Sequence, residues 1–461
     1  MTEDHSLRRD TAVPAIDLED AIDSGDLESV RAWFAAQNTV TISEELGRLD
    51  HGERAVAFRL LEKDRALAVF EYMDISHQRE LLEALRSDRA SELLRGLQDD
   101  DRARLIGEAP ATVASKILAD LPADKREATS RLLGYPPESA GRLMTPAQAV
   151  LDPDMTREDA LDKLRGRRLR NRDIAVLAVT DETRRLLGVV NLSDLVTAAD
   201  GARVGDLMSK ETHSVRATAD QEVAARLVQE ADLLALPVVD EESRIVGMIT
   251  VDDAMEALEI EVTEDAYRGG GSEPLGEPYL SATVFTLARK RGVWLVVLIL
   301  AAVLTINVMS TFEGTLNKIV VLATFVPMII GTGGNAGSQA ASSVVRALAV
   351  DEVRPRDLVR VVWREVRVGL MLGAFLAVLT FPFIAVIYEP RIAATISLTI
   401  VGICAWACIV GGVLPLVAKK IGVDPAVFST PVVSTLVDAT GLIIYFTIAQ
   451  VILAPQLAAA G

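Results

Sequence analysis

The sequence predicts a mixed architecture: a superhelical α-helical amino-terminal domain, a tandem α/β module, an acidic helix and a five-helix transmembrane domain. Three observations carry this reading. A helical pattern repeats every 24 residues near the start, a strand–helix alternation occurs twice in the middle, and five long apolar stretches close the chain. Mean hydropathy is positive although 24% of the residues are charged, so two unlike materials are joined. Residues 284–461 hold 13 Lys and Arg against 8 Asp and Glu, whereas residues 1–283 hold 34 against 57. A soluble half this acidic repels nucleic acid and attracts divalent cations.

Residues 1–15 are short, polar and charged; they read as a loose tail and show no signal-peptide pattern. From residue 16 to 135 the pattern is helical. Asp64-Arg65-Ala66 realigns on Asp88-Arg89-Ala90, Leu81-Leu82 falls on Leu105-Ile106, and a weaker third copy starts near Thr112. Short helical pairs at a fixed period predict a small superhelix. Asp99, Asp100 and Asp101 lie between two of its helices, and the pattern alone favours an N-cap over a metal ligand there.

Residues 140–200 and 201–258 repeat one another. Leu143-Met144-Thr145-Pro146 opens the first copy and Leu207-Met208-Ser209-Lys210 the second. Each continues through an amphipathic helix (Thr156–Leu169; Asp220–Ala231) into a β-rich run (Ile174–Val179; Leu236–Val239). Each then ends on a glycine-led strand and helix (Gly188–Asp194; Gly247–Asp253). No GxGxxG or GxxxxGK[ST] loop is present to cradle phosphates. The tandem resembles a pair of CBS domains, a regulatory module that often binds adenine nucleotides. That resemblance implies that the closing Thr and Asp hold ribose and phosphate. Thr250 and Asp253 match in the second copy, but Asn191 replaces the threonine in the first, which leaves ATP as a regulator an open expectation.

An acidic helix and linker occupy residues 252–278. Asp252, Asp253, Glu256, Glu259, Glu261, Glu264 and Asp265 crowd it, with Glu261 three residues before Glu264 and four before Asp265. Like charges at these spacings destabilise a helix unless a counterion sits between them. Pattern alone reads as a solvated face; the position just before the membrane favours the counterion. Gly269 to Pro278 then reads as a flexible linker.

The membrane domain is placed at residues 279–461, with spans at Gly292–Phe312, Leu316–Val345, Val366–Tyr388, Ala394–Ala418 and Ala426–Pro455. Eleven flanking basic residues fall on one side and two on the other. This puts the acidic half in the cytoplasm and the carboxyl terminus outside. The stretch from Val427 to Leu453 carries one charge, Asp438, about 16 Å in from Val427. An aspartate there costs roughly 2.5–3.5 kcal/mol on insertion scales, so it reads first as a functional site. The plain alternative is a protonated Asp tying two helices together. Ser434 lies one turn earlier and Gly441 about one turn later, and Pro431 is expected to free a carbonyl near Val427. The second span holds the run GTGGNAGSQ at 331–339, which offers close backbone packing and, at Asn335 and Gln339, oxygen acceptors. Cys404 and Cys408, one turn apart, read as helix- or lipid-facing thiols. The four histidines (His5, His51, His77, His213) are scattered, which excludes a zinc or copper centre.

The order helical domain, CBS pair, acidic helix and five spans resembles the MgtE family of magnesium channels. GTGGNAGSQ, GVDPAVFSTPVVSTLVDATGLIIY at 422–445 and the triplet Thr263-Glu264-Asp265 carry the resemblance. It implies a homodimeric pore between two membrane domains, with Asp438 as the carboxylate that recognises Mg2+ and Asn335 and Ser434 beside it. It implies that the acidic helix is a plug. Cytoplasmic Mg2+ would close this plug through Glu222, Asp232, Asp253, Glu256, Glu261, Glu264, Asp265, Asp424 and, in the amino-terminal domain, Asp100. Mg2+ would thus be both substrate and regulator of a transporter in the bilayer, without enzymatic activity and without a nucleic-acid partner. The competing expectation is a membrane-tethered sensor of Mg2+ or adenine nucleotide that transports nothing.

Overall fold

The computed structural model describes residues 16–147, 149–165, 173–427 and 430–459; the expected tail 1–15 lies outside them. Two compact units divide the chain. One comprises residues up to 261 with 276–281, the other residues 262–275 with 282–461.

In the first unit a short helix, Leu18–Asp23, leads into helices that begin at Leu27, Thr39, His51, Lys63, Ile75, Ser87, Asp99, Ala111 and Ala123. One starts every 12 residues, so the 24-residue repeat is a pair of half-repeats that reaches back to Leu27. A buried polar side chain recurs at the full period. Arg54, Gln78 and Arg102 each donate to the carbonyl eight residues earlier, on Leu46 (2.9 Å), Phe70 (2.7 Å) and Leu94 (3.2 Å). The arginines also reach the carbonyls of Leu49 and Leu97, both at 2.8 Å. These carbonyls lie at helix ends, and that of Phe70 also accepts from the Met73 N–H at 3.2 Å. Arg102 heads the largest fully buried side chains; Asp99 balances its charge and Thr129 Oγ1 accepts at 2.8 Å. Around this ladder pack Ile42, Leu46, Phe58, Phe70, Leu81, Leu97 and Ile106.

The tandem module forms two small sheets. Its strands are β1 (Thr145–Pro146), β2 (Val150–Leu151), β3 (Val176–Thr180), β4 (Leu186–Asn191), β5 (Val215–Arg216), β6 (Ala235–Val239) and β7 (Ile245–Thr250). Their orders are β1-β7-β6-β5 and β2-β3-β4. The opening of each copy crosses to the other copy's sheet: Thr145 pairs with Met248, and Ser209 bridges Val189. Only glycine fits at the crossings. A Cβ on Gly188 would lie 2.3 Å from the Ser209 carbonyl oxygen, and one on Gly247 2.7 Å from that of Thr145. The two helices are Arg157–Arg165 and Gln221–Glu230, the latter capped by Asp220; residues 166–169 of the first expected helix lie outside the described residues. The strand β7 runs directly into a 19-residue helix, Val251–Gly269, so the acidic helix and the closing helix of the second copy are one element.

The second unit holds helices Val284–Thr311, Val321–Ala349, Leu358–Ile387, Pro390–Lys420 and Thr430–Ile452. By length and composition four are apolar enough to cross a bilayer. The exception among the five expected spans is 321–349. Its 29 residues reach about 44 Å, but the polar GTGGNAGSQ run dilutes its hydropathy. The core gathers Ile329, Ile396, Ile400, Cys404, Cys408, Val433, Val437, Tyr445 and Phe446, so both thiols face helices. The 284–311 and 358–387 helices leave large apolar side chains such as Ile299 and Met371 exposed, as lipid-facing helices do.

The ladder yields a quantitative expectation. Arg102→Met keeps the bulk but leaves two helix-end carbonyls without their donor and Asp99 with Lys125 alone among the described residues. It should destabilise the amino-terminal helices by about 3 kcal/mol, read as a lower urea midpoint and as faster amide exchange at residues 87–107.

Candidate functional site

Asp438 lies on the 430–452 helix. Residues 430–452 are helical, Pro431 among them. Val427, whose carbonyl Pro431 is expected to free, belongs to a 3-10 turn, Pro425–Val427. Residues 428 and 429 lie outside the described residues. Gly334 brings the 321–349 helix against this face: a Cβ there would lie 2.5 Å from Ser434 Oγ and 3.7 Å from Asp438 Oδ1. Ser338 donates to the Thr430 carbonyl at 3.3 Å and fixes the same pairing further up. Asp438 Oδ1 is buried and, among the described residues, has no hydrogen-bond partner. Asn335 is exposed one residue from Gly334, while Val437 and Ala439 flank Asp438 in the core. Gly334 thus faces Ser434 and Asp438, and Asn335 adjoins it in the chain. A carboxylate with hydroxyl and amide oxygens is a donor set for a hard cation.

A second group of carboxylates lies within the first unit, where helix Asp99–Gly107 meets β1, β7 and the start of the acidic helix. Asp100 is 7% exposed; its Oδ2 accepts from Thr145 Oγ1 at 2.9 Å, and its Oδ1 has no partner among the described residues. Burial pushes its carboxyl up, opposed by the Thr145 hydrogen bond. Burial, then the charge of Asp100, pushes both Asp101 and Asp253 up to about 7. Asp253 Oδ2 accepts from Thr250 Oγ1 at 2.6 Å, so the two residues read as nucleotide contacts hold each other. Glu256 pairs with Arg104 at 2.5 Å, and Arg104 lies 3.5 Å from Asp101. Asp100, Asp101, Asp253 and Glu256 thus share one junction. Asp99 turns away from it to Arg102.

The remaining acidic residues separate. Glu264 and Asp424 meet through Arg268, at 2.7 and 3.0 Å, with Asp265 close enough to add to that field. Glu261 accepts from Gln221 at 3.0 Å. Glu222 is held by Arg226, and Asp232 stands exposed in a turn at φ +50°. Among the described residues, no three Asp, Glu, His or Cys side chains converge as a ready metal cage. Arg104 and Arg268 are the site residues that sequence reasoning passed over. Their signal was present in the i,i+3 and i,i+4 spacings of Asp101–Arg104 and Glu264–Arg268.

These features meet known proteins over almost the whole chain. Residues 326–448 match the family model for a divalent cation transporter, MgtE; residues 37–138 match the MgtE intracellular N domain; residues 140–201 and 204–260 match CBS domains. The magnesium transporter MgtE of Thermus thermophilus is 35% identical over 445 residues, 95% of this chain and 98% of the relative. The chain belongs to the MgtE family of magnesium transporters. The MgtE of Bacillus subtilis is 31% identical over 80% of this chain and 82% of its own. Among solved structures, the cytosolic domain of the Mg2+ channel MgtE in complex with ATP is 33% identical. It covers 52% of this chain and 98% of its own, with a TM-score of 0.47. MgtE is a transport family rather than an enzyme family, and this member has its CBS tandem between the intracellular helices and the membrane helices.

The raised carboxyls of this MgtE chain give its first junction a pH dependence. A carboxyl with a raised folded pKa contributes stability that is complete below its ordinary value near 3.8 and is lost as pH rises through about 7. Without Mg2+, amides of 99–107 should therefore be better protected at pH 6 than at pH 8 in hydrogen exchange corrected for intrinsic rates. Added Mg2+ at pH 8 should restore the protection. Equal protection at the two pH values would show that these carboxyls do not titrate there.

Proposed function

We propose that the chain is a Mg2+-selective channel of the cell membrane, built as a homodimer and closed by Mg2+ binding to its cytoplasmic half. The observation that carries the conducting role is Asp438: a carboxylate inside a membrane helix, with a buried oxygen that lacks a partner among the described residues, on a face shared with Ser434 and Gly334. Mg2+ dehydrates reluctantly and keeps its waters, so a site with few protein carboxylates suits both its capture and its release. Asp438 is only partly enclosed and Asn335 is exposed within one chain, so a second copy facing it would complete the path. Each subunit would then offer one carboxylate to a hydrated ion on the dimer axis. Basic residues at the ends of the spans favour cytoplasmic amino-terminal domains, five passes and an external carboxyl terminus.

Closure follows from charge. The junction of Asp100, Asp101, Asp253 and Glu256, and that of Glu264, Asp265 and Asp424, each bring carboxylates from different segments together. Mg2+ between them would relieve repulsion only in the closed arrangement. Glu222, Asp232 and Glu261 are assigned to the same sensing, with Glu261 and Gln221 linking the acidic helix to the Glu222 helix. Many weak sites acting on one equilibrium suit an ion held near millimolar levels. ATP is the proposed second regulator, at Thr250 and Asp253. Because Asp253 belongs to the first junction, nucleotide and Mg2+ would act on the same carboxylate. A tethered sensor without transport is the rival reading.

Proteoliposome flux separates the two. Asp438→Ala should abolish Mg2+ uptake at least a hundredfold, while wild-type flux should fall as Mg2+ on the cytoplasmic face rises. Undiminished flux in the variant would remove Asp438 from the conducting role. Absent wild-type flux, with Mg2+ still ordering the soluble half, would favour the sensor.

A further inference from the structure

Each acidic junction already contains a cation that belongs to the chain. Arg104, on helix Asp99–Gly107, lies between Asp101 and Glu256, at 3.5 and 2.5 Å. Arg268, near the end of the acidic helix, lies between Glu264 and Asp424, at 2.7 and 3.0 Å. In both places the guanidinium joins carboxylates 150 or more residues apart in sequence, through one bond along its own helix and one across to another segment. Other contacts seat the region around Arg268. Gly271, at φ +69°, packs on Pro431, and a Cβ there would lie 3.0 Å from its ring. Glu273 accepts from Trp294 Nε1 at 2.9 Å and donates its own N–H to the Lys290 carbonyl at 3.2 Å. The acidic helix is therefore pinned near both ends by an arginine among the very carboxylates assigned above to Mg2+.

We infer that Arg104 and Arg268 are tethered counterions that bias the channel toward closure without Mg2+, so that Mg2+ completes a closure already begun. This rests on the closure by cytoplasmic Mg2+ proposed above and adds to it a component independent of that ion. A guanidinium cannot lose its proton and presents a planar fork matched to carboxylates, so its hold does not vary with the cell's magnesium. It carries one charge rather than two and leaves part of the repulsion unrelieved. A junction with a built-in arginine starts partly neutralised, and Mg2+ then acts on what remains.

The test is flux through the full-length protein in proteoliposomes, with cytoplasmic Mg2+ varied from chelated levels to several times its cellular range. Arg268→Gln and Arg104→Gln should each raise the flux at chelated Mg2+ about threefold, the factor expected of partly exposed ion pairs. Their response to Mg2+ should become steeper, because the vacated carboxylates now depend on the ion. Arg268→Glu should raise the chelated flux further. The exchanged pair Arg268→Glu with Asp424→Arg should lower it again, which a merely misfolded variant could not do. Chelated flux equal to wild type in both Gln variants, with wild type still closing under Mg2+, would overturn the tethered counterions and leave the closure reading intact. Wild-type flux indifferent to Mg2+, with the Gln variants still raised, would support the arginines and remove the closure reading.

Discussion

Carboxylates held near one another and away from water are the constraint on which this molecule turns. Two like charges about 4 Å apart repel by roughly 4 kcal/mol at the effective dielectric of a protein surface, before any cost of desolvation. The chain brings carboxylates together in two junctions, the first buried at Asp100 and the second partly exposed at Glu264 and Asp424, and places a further carboxylate inside a membrane helix. Three remedies are within its reach: a proton, as the raised Asp101 and Asp253 carboxyls show; an arginine, as at Glu256 and Asp424; or a divalent ion. Only the last varies with the cell's magnesium.

The scaffold behind the first junction is stiff for a definite reason. The helix Asp99–Gly107 carries Arg102 on its inner face, bonded to helix-end carbonyls and to Thr129, and Asp100, Asp101 and Arg104 at its junction. One nine-residue element therefore both ties the superhelix together and presents Asp100, Asp101 and Arg104 to the junction. Thr145, on a strand that crosses into the sheet of the second CBS copy, holds the opposite side.

Much of this was legible beforehand, and the gaps have physical causes. The 24-residue repeat was visible where residues recur, from Asp64, but its reach back to Leu27 was not. There the copies keep only helix starts and a buried donor, and Arg54, Gln78 and Arg102 are not all one residue type although they do one job. The crossing of β1 into the other sheet left no trace because two-residue strands have no periodicity to read. The polar face of Asp438 was found from its charge alone. Sequence could group acidic residues and could not say which share a junction. Asp232 and Asp100 look alike in the chain, yet one stands exposed in a turn and the other is buried against Thr145.

The acidic helix runs from Val251 to Gly269 without a break. Glu256 and Arg268 are then about 18 Å apart on a single rod. If the rod pivots at Glu256, a tilt of about 10° moves Arg268 by about 3 Å, roughly the length of its bond to Asp424. If the two junctions act as proposed, they are geared rather than wired: a small rotation at one end would then be enough to disengage the other.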